Sequence, residues 1–161
     1  MSTIFLLGPS EPQDPGLPTA LHMETRRRLA RILGNHGHRA ILMEDVEPSD
    51  GEDLVQKFDR ILDAERPDLI LVYWPARSKM QTTFDEMLLL RKRIEARPVP
   101  RVVVLHQAGV ARITPREFQI LEKGGRSRYL EAVRRVPMTP IAWDQPSHLE
   151  RIVAALAAWE F

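Results

Sequence analysis

Three adjoining stretches decide the fold: Asp68-Leu-Ile-Leu-Val-Tyr-Trp-Pro75, the polar run ARSKMQTT at 76–83, and FDEMLLLRKRI at 84–94. The first is apolar, aromatic and β-branched without alternation, which is how a strand buried on both faces reads. Pro75 ends it, because proline cannot donate into a central ladder. The third puts Phe84, Met87, Leu88 and Ile94 on one helical stripe behind Thr83 and Glu86, which have the spacing of a capping box. A buried strand, a polar loop and an amphipathic helix make the unit that the rest of the chain repeats.

Outward toward the amino end, 3–7 (TIFLL) reads as a first buried strand, broken by Gly8-Pro9-Ser10. Pro9, Pro12, Pro15, Pro18 and Gly16 forbid regular structure in the loop that follows, which suits either a lid or a rigid connector. A helix is expected over 19–35, burying Leu29, Ile32 and Leu33 and ended by Gly37 in the left-handed region. The second strand is 38–43. Ser49 and Glu52 predict a capped helix with Leu54, Phe58, Ile61 and Leu62 on one face, closed by Pro67.

Toward the carboxyl end, 101–106 (RVVVLH) is a fourth strand. Thr114-Pro115-Arg116-Glu117 opens another helix, interrupted at Gly124-Gly125 and resumed over 127–135. A last strand over 138–143 contains Pro140 and so belongs at an edge. Ser147 and Glu150 repeat the capping spacing before a helix burying Leu149, Ile152, Val153 and Leu156. Strands alternating with helices imply parallel units with right-handed crossovers. The expected fold is a single α/β domain, a three-layer doubly wound parallel sheet of about five strands in the flavodoxin-like order 2-1-3-4-5. Ligands of such sheets sit beyond the carboxyl ends of the strands where the winding reverses, here between the first and third. Gly8, Pro9, Ser10 and the loop 76–86 meet at that place.

Composition narrows the uses. At 161 residues the chain is long enough for one core. Its net charge of +1 provides no global field toward nucleic acid, a membrane or acidic partners. Having no cysteine, it lacks disulfides, thiolate ligands and thiol nucleophiles. The absence of a signal-like segment or an apolar run of membrane-spanning length leads to the expectation of a cytoplasmic protein. Neither G-x-x-x-x-G-K-[ST] nor G-x-G-x-x-G occurs, and the first loop, with Glu11, Asp14 and its prolines, is a poor phosphate cradle. No cofactor is therefore expected. The third strand ends Tyr73-Trp74 rather than in the aspartate of a phosphoryl receiver, and no G-x-S-x-G elbow is present. His36 and His38 flank a helix-ending glycine, so no metal is expected there. His106 is read as a structural histidine at the ligand edge, and Arg26-Arg27-Arg28 as a solvated helix face rather than a nucleic-acid contact.

What remains is the loop holding Ser78, Thr82 and Thr83 and delivering Glu86. With the first strand ending Gly8-Pro9-Ser10 and a Pro67-Asp68 step before the third, it resembles the superfamily of nucleoside deoxyribosyltransferases and TIR domains. In the former, a D-x-G-T-x-x-E segment supplies a nucleophilic glutamate. Thr83-Phe-Asp-Glu86 matches T-x-x-E, whereas Thr82 replaces the glycine, and Arg77 and Lys79 stand where acidic residues are usual. The resemblance implies a nucleoside- or nucleotide-like small-molecule partner and attack at an N-glycosidic bond. Glu86 would be nucleophile or electrostatic stabiliser, with Gly8, Pro9, Ser10, Ser78, Thr82 and Thr83 binding the substrate. The same spacing at Ser49/Glu52, Thr114/Glu117 and Ser147/Glu150 keeps a plain helix-start role open for Glu86. So does a non-catalytic binding or interaction module. The successive Leu88, Leu89 and Leu90 exceed what one stripe needs, from which a homodimer contact is expected.

Overall fold

In a computed structural model of the chain, residues 1–9, 16–75, 86, 89, 90, 93, 100–108 and 138–158 are described. Five strands, β1 (Thr3–Leu7), β2 (Arg39–Leu42), β3 (Leu69–Trp74), β4 (Arg101–Gln107) and β5 (Met138–Trp143), form one sheet. All neighbours are parallel, in the order β2-β1-β3-β4-β5. The expected doubly wound arrangement is thus present, with the reversal of winding between β1 and β3. β3, at the centre, is buried along its whole length, as its unbroken apolar run requires. β5 is an edge strand, where Pro140 is tolerated.

Side-chain alternation splits the core between the two faces of the sheet. Phe5, Leu7, Ile70, Val72 and Trp74 point to the side covered by helix α2 (Leu54–Glu65), through Phe58, Ile61 and Leu62. The helical Leu90 belongs to the same cluster, with Leu89 packed against it. Ile4, Leu6, Leu69, Leu71 and Tyr73 point to the side covered by α1 (Leu21–Asn35) and α3 (Pro146–Ala157), through Leu29, Leu33, Leu149 and Val153. Two of the three successive leucines, Leu89 and Leu90, are therefore packed within the fold.

Several helix starts differ from expectation. Ser49 and Glu52 do bond each other, with the Ser49 N–H donating to Glu52 Oε1 at 3.2 Å and the Glu52 N–H to Ser49 O at 3.0 Å. They do so in a turn, because Gly51 at φ +71° leaves helical space. The cap proper is Asp53, whose side chain accepts from the Gln56 N–H at 2.7 Å while Gln56 reaches back to the Asp53 N–H at 2.9 Å. Leu54 then falls at the first helical position and is 53% exposed, not on the buried stripe. In α3 the backbone enters through Gln145 and Pro146 without a side-chain cap, and Glu150 pairs with Arg28 at 2.6 Å instead. α1 begins two residues later than expected and ends as expected, with Gly37 at φ +83°. β2 stops at Leu42, and Met43–Asp45 form a single 3-10 turn. At the end of α2, Arg66 takes the left-handed conformation just before Pro67. The helices expected over 114–135, and the Thr83 side of the expected cap at Glu86, lie outside the described residues.

Candidate functional site

The carboxyl edge of β1, β3 and β4 gathers polar side chains that the core would not otherwise accept. On the α1 face the central one is Arg26. The expectation of a solvated Arg26-Arg27-Arg28 face fails here: Arg26 is only 1% exposed, while Arg27 and Arg28 do face solvent. Residues 22, 26, 29 and 33 recur at helical spacing, so His22 and Arg26 continue the buried stripe of Leu29 and Leu33 toward the first turn of α1. The Arg26 guanidinium forms a two-point pair with Glu44 in the turn after β2, one arm at 3.1 Å.

The Arg26 stem crosses β1 at Gly8. A Cβ on Gly8 would lie 2.9 Å from Tyr73 O and 3.0 Å from Arg26 Cδ. Close contact with β3 and α1 therefore already requires a glycine at position 8 within the fold. Pro9 beside it is buried. His22, 2% exposed, meets Tyr73 through Nδ1 and the phenol oxygen at 3.2 Å, with the rings edge-to-face at 5.7 Å. Tyr73 also stacks on Trp143, whose Nε1–H donates to Leu105 O at 2.9 Å. Burial pushes the Tyr73 phenol up to about 12, against smaller opposite effects of Thr25 and Arg26. Burial, and then the Arg26 charge, hold His22 below the ordinary histidine value. Both groups are neutral near pH 7.

The opposite face of the same edge carries Trp74, His106 and Glu86. His106 follows Val102 and Val104 on the α2 side of β4 and stands in register with Trp74 on β3. Desolvation lowers its pKa too. Glu86 is helical and 4% exposed. It precedes Leu90 by four residues, so the two share a stripe, with Glu86 one turn nearer the carboxyl edge. Among the described residues, three buried side-chain atoms have no hydrogen-bond partner: His22 Nε2, Arg26 Nε and His106 Nδ1. All three belong to residues at this edge.

Of the site residues expected from sequence, Gly8 comes together with Arg26 and Tyr73, Pro9 is buried next to it in the chain, and Glu86 stands on the other side of the sheet edge. Ser10, Ser78, Thr82 and Thr83 lie outside the described residues. Sequence reading missed His22 and Arg26, although their place on the Leu29–Leu33 stripe was available as a signal. No group of three or more potential metal ligands occurs among the described residues. No helix among them is long and apolar enough to cross a membrane.

No protein-family model matches the sequence, and no curated protein does. Among solved structures the fold has counterparts. The architecture resembles that of RosB. The likeness covers 98% of this chain and 77% of that one at 10% identity, with a TM-score of 0.51. The RosB crystal structure holds a bound intermediate, 8-demethyl-8-formylriboflavin-5'-phosphate. An oxidoreductase from Corynebacterium diphtheriae matches over 98% of this chain and 93% of its own, at 14% identity and a TM-score of 0.40. At these identities the likeness to RosB is one of fold, and it agrees with the flavodoxin-like strand order.

Proposed function

We propose that the chain binds a nucleoside- or nucleotide-like small molecule at the carboxyl edge of β1, β3 and β4, and that Glu86 acts on its N-glycosidic bond. The observation that supports binding is the gathering of buried, unpartnered side-chain atoms at this edge. Leaving such groups unsatisfied is costly, and a polar ligand at this edge would satisfy them. The location is also where doubly wound sheets take their ligands.

The chemical part rests on the T-x-x-E match at Thr83–Glu86 and on the burial of the Glu86 carboxylate beside this edge. Away from bulk water, a carboxylate stabilises an oxocarbenium-like centre, or captures it covalently, more strongly than an exposed one does. The competing reading is a binding module without catalysis, in which Glu86 serves the start of its own helix. Burial on the Leu90 stripe is compatible with that role.

Incubation with ribonucleosides, deoxyribonucleosides and NAD, followed by chromatography of the freed base, separates the two. Release of base that falls at least about a hundredfold in Glu86→Gln is the expected outcome. Binding without turnover would leave the module reading. Because RosB holds a riboflavin phosphate derivative, riboflavin and its phosphate belong in the same screen. If none of these compounds binds, the whole reading falls.

A further inference from the structure

A histidine kept for structure is held by hydrogen bonds, as His36 and His38 are held at backbone carbonyls. His106 has no such partner among the described residues, and its Nδ1 is enclosed and unsatisfied. The ring as a whole is only half-buried, so Nε2 is the nitrogen that a ligand at the sheet edge can reach. The structural role expected from the sequence leaves this arrangement unexplained.

The place of His106 relative to Glu86 follows from the packing of Leu90. Leu90 shares one cluster with Val102 and Val104 of β4 and with Val72 and Trp74 of β3. The helix that carries it joins two parallel strands and so runs against them. Four residues back along that helix, about 6 Å toward the carboxyl edge, stands Glu86. Two residues forward from Val104, about 6.6 Å in the same direction, stands His106, with Trp74 paired beside it. Glu86 and His106 thus arrive at one level on one face of the sheet. They are not an ion pair, since burial, with no neighbouring charge, is what lowers the His106 pKa.

We propose that His106 is a second catalytic residue of this site, an acid that protonates the departing base from Nε2 while Glu86 takes the anomeric carbon, so that the site serves nucleosides whose base cannot leave without a proton. This rests on the Glu86 reading above and deepens it by naming the substrate class. In the first step a Glu86 oxygen bonds to the anomeric carbon and the carbon–nitrogen bond breaks. Its electron pair goes to the base, which takes the Nε2 proton of the His106 imidazolium. The ring keeps its Nδ1 proton, because that nitrogen is enclosed with no group to receive it. Water then attacks the anomeric carbon and gives a proton to Nε2. The bond to Glu86 breaks, and its electron pair returns to the carboxylate. Nucleoside and water become free sugar and free base, and both residues end as they began.

A lowered pKa makes the imidazolium a strong acid but a scarce one at pH 7, so the rate should climb on acidification. On the described elements packed around His106 the titratable groups are Glu86 and, on α2, the buried Lys57, whose charge acts on Glu52. Trp74 and Ala142, its neighbours on β3 and β5, do not titrate.

Uridine and nicotinamide riboside are the probes, because they share a ribose and differ in what leaves. Uracil departs as an anion unless it is protonated, whereas nicotinamide departs neutral from a pyridinium. His106→Gln should lower kcat/KM for uridine at least about a hundredfold, and for nicotinamide riboside at least about tenfold less than that. In the wild type, kcat/KM for uridine should climb as pH falls from 7.5 through about 6.5, a limb absent from the variant. Circular dichroism at each pH separates loss of fold from loss of chemistry, and His106→Asn guards against a fault peculiar to one replacement. Equal losses on the two ribosides, an unchanged uridine rate, or cleavage of nicotinamide riboside alone overturns the proposal while sparing the Glu86 reading. Where only nucleosides are cleaved, the pH limb decides, and its survival in the variant overturns the proposal. If neither variant folds, a wild-type profile that is flat or falling over that range overturns it. No release of base from any nucleoside or from NAD overturns both.

Discussion

Five histidines occupy this chain, and their surroundings sort them. His38 donates from Nε2 to Ala157 O at 2.6 Å and accepts from the Ser2 N–H at 3.3 Å, tying the start of β2 to the end of α3. His36 reaches Ile32 O in the last turn of α1, and His148 Nδ1 accepts from the Asp144 N–H. These three are bound to the backbone, whereas His22 and His106 each keep a buried ring nitrogen without a partner among the described residues. Sequence alone did not show the partners of His22 and His38, because those lie 36 to 119 residues away. Gly8 was legible as a special position, but the packing reason for it was not, since it depends on Arg26 crossing from another element. That reason makes a prediction. Gly8→Ala forces a methyl group against a backbone oxygen and the Arg26 stem, and should cost about 1–3 kcal/mol in denaturant unfolding. A neutral result would mean that the glycine is kept for something other than packing.

Elements were easier to read than their ends. β1, β3 and β4 fall where unbroken apolar runs placed them, because a strand covered on both faces has no polar side to show. Helix stripes were right where they met the sheet, at Phe58, Ile61 and Leu62 and at Leu149 and Val153, and wrong at Leu54, which lies ahead of it. The caps were misassigned because two patterns compete before α2. Ser49-x-x-Glu52 and Asp53-x-x-Gln56 both satisfy the spacing rule, and only the φ of Gly51 decides between them. Asp53→Ala should therefore cost about 1 kcal/mol, and Ser49→Ala distinctly less because its side-chain oxygen does not cap the helix. Urea midpoints of the two variants measure this directly. Equal losses would mean that the helix starts earlier in solution. The same caution applies to Thr83 and Glu86, since the spacing that suggested both a cap and a catalytic residue is one that this chain also uses in a simple turn.

For the molecule as a whole, the two histidines at the sheet edge should make folding sensitive to mild acid. Burial lowers the pKa of each in the folded state, with the Arg26 charge adding to the effect at His22. On acidification the unfolded chain takes up their protons first, near pH 6.5. Stability is then fully present above that value and is lost as pH falls toward the folded-state values, because the unfolded state binds more protons over that interval. The slope is bounded at about 1.4 kcal/mol per pH unit for each histidine. Glu52 and Glu65, held below the ordinary carboxylate value chiefly by hydrogen bonds from Arg60 and Arg39, act in the same direction. Their effect begins lower, near pH 4.5 and below, and exposure makes it small. Urea unfolding at half-unit steps from pH 7.5 to 5 should show falling midpoints below about pH 6.5. The decline should flatten in His22→Gln combined with His106→Gln and persist in His36→Gln. A wild-type profile flat to pH 5 would mean that both rings take up their protons as readily in the fold as in the unfolded chain.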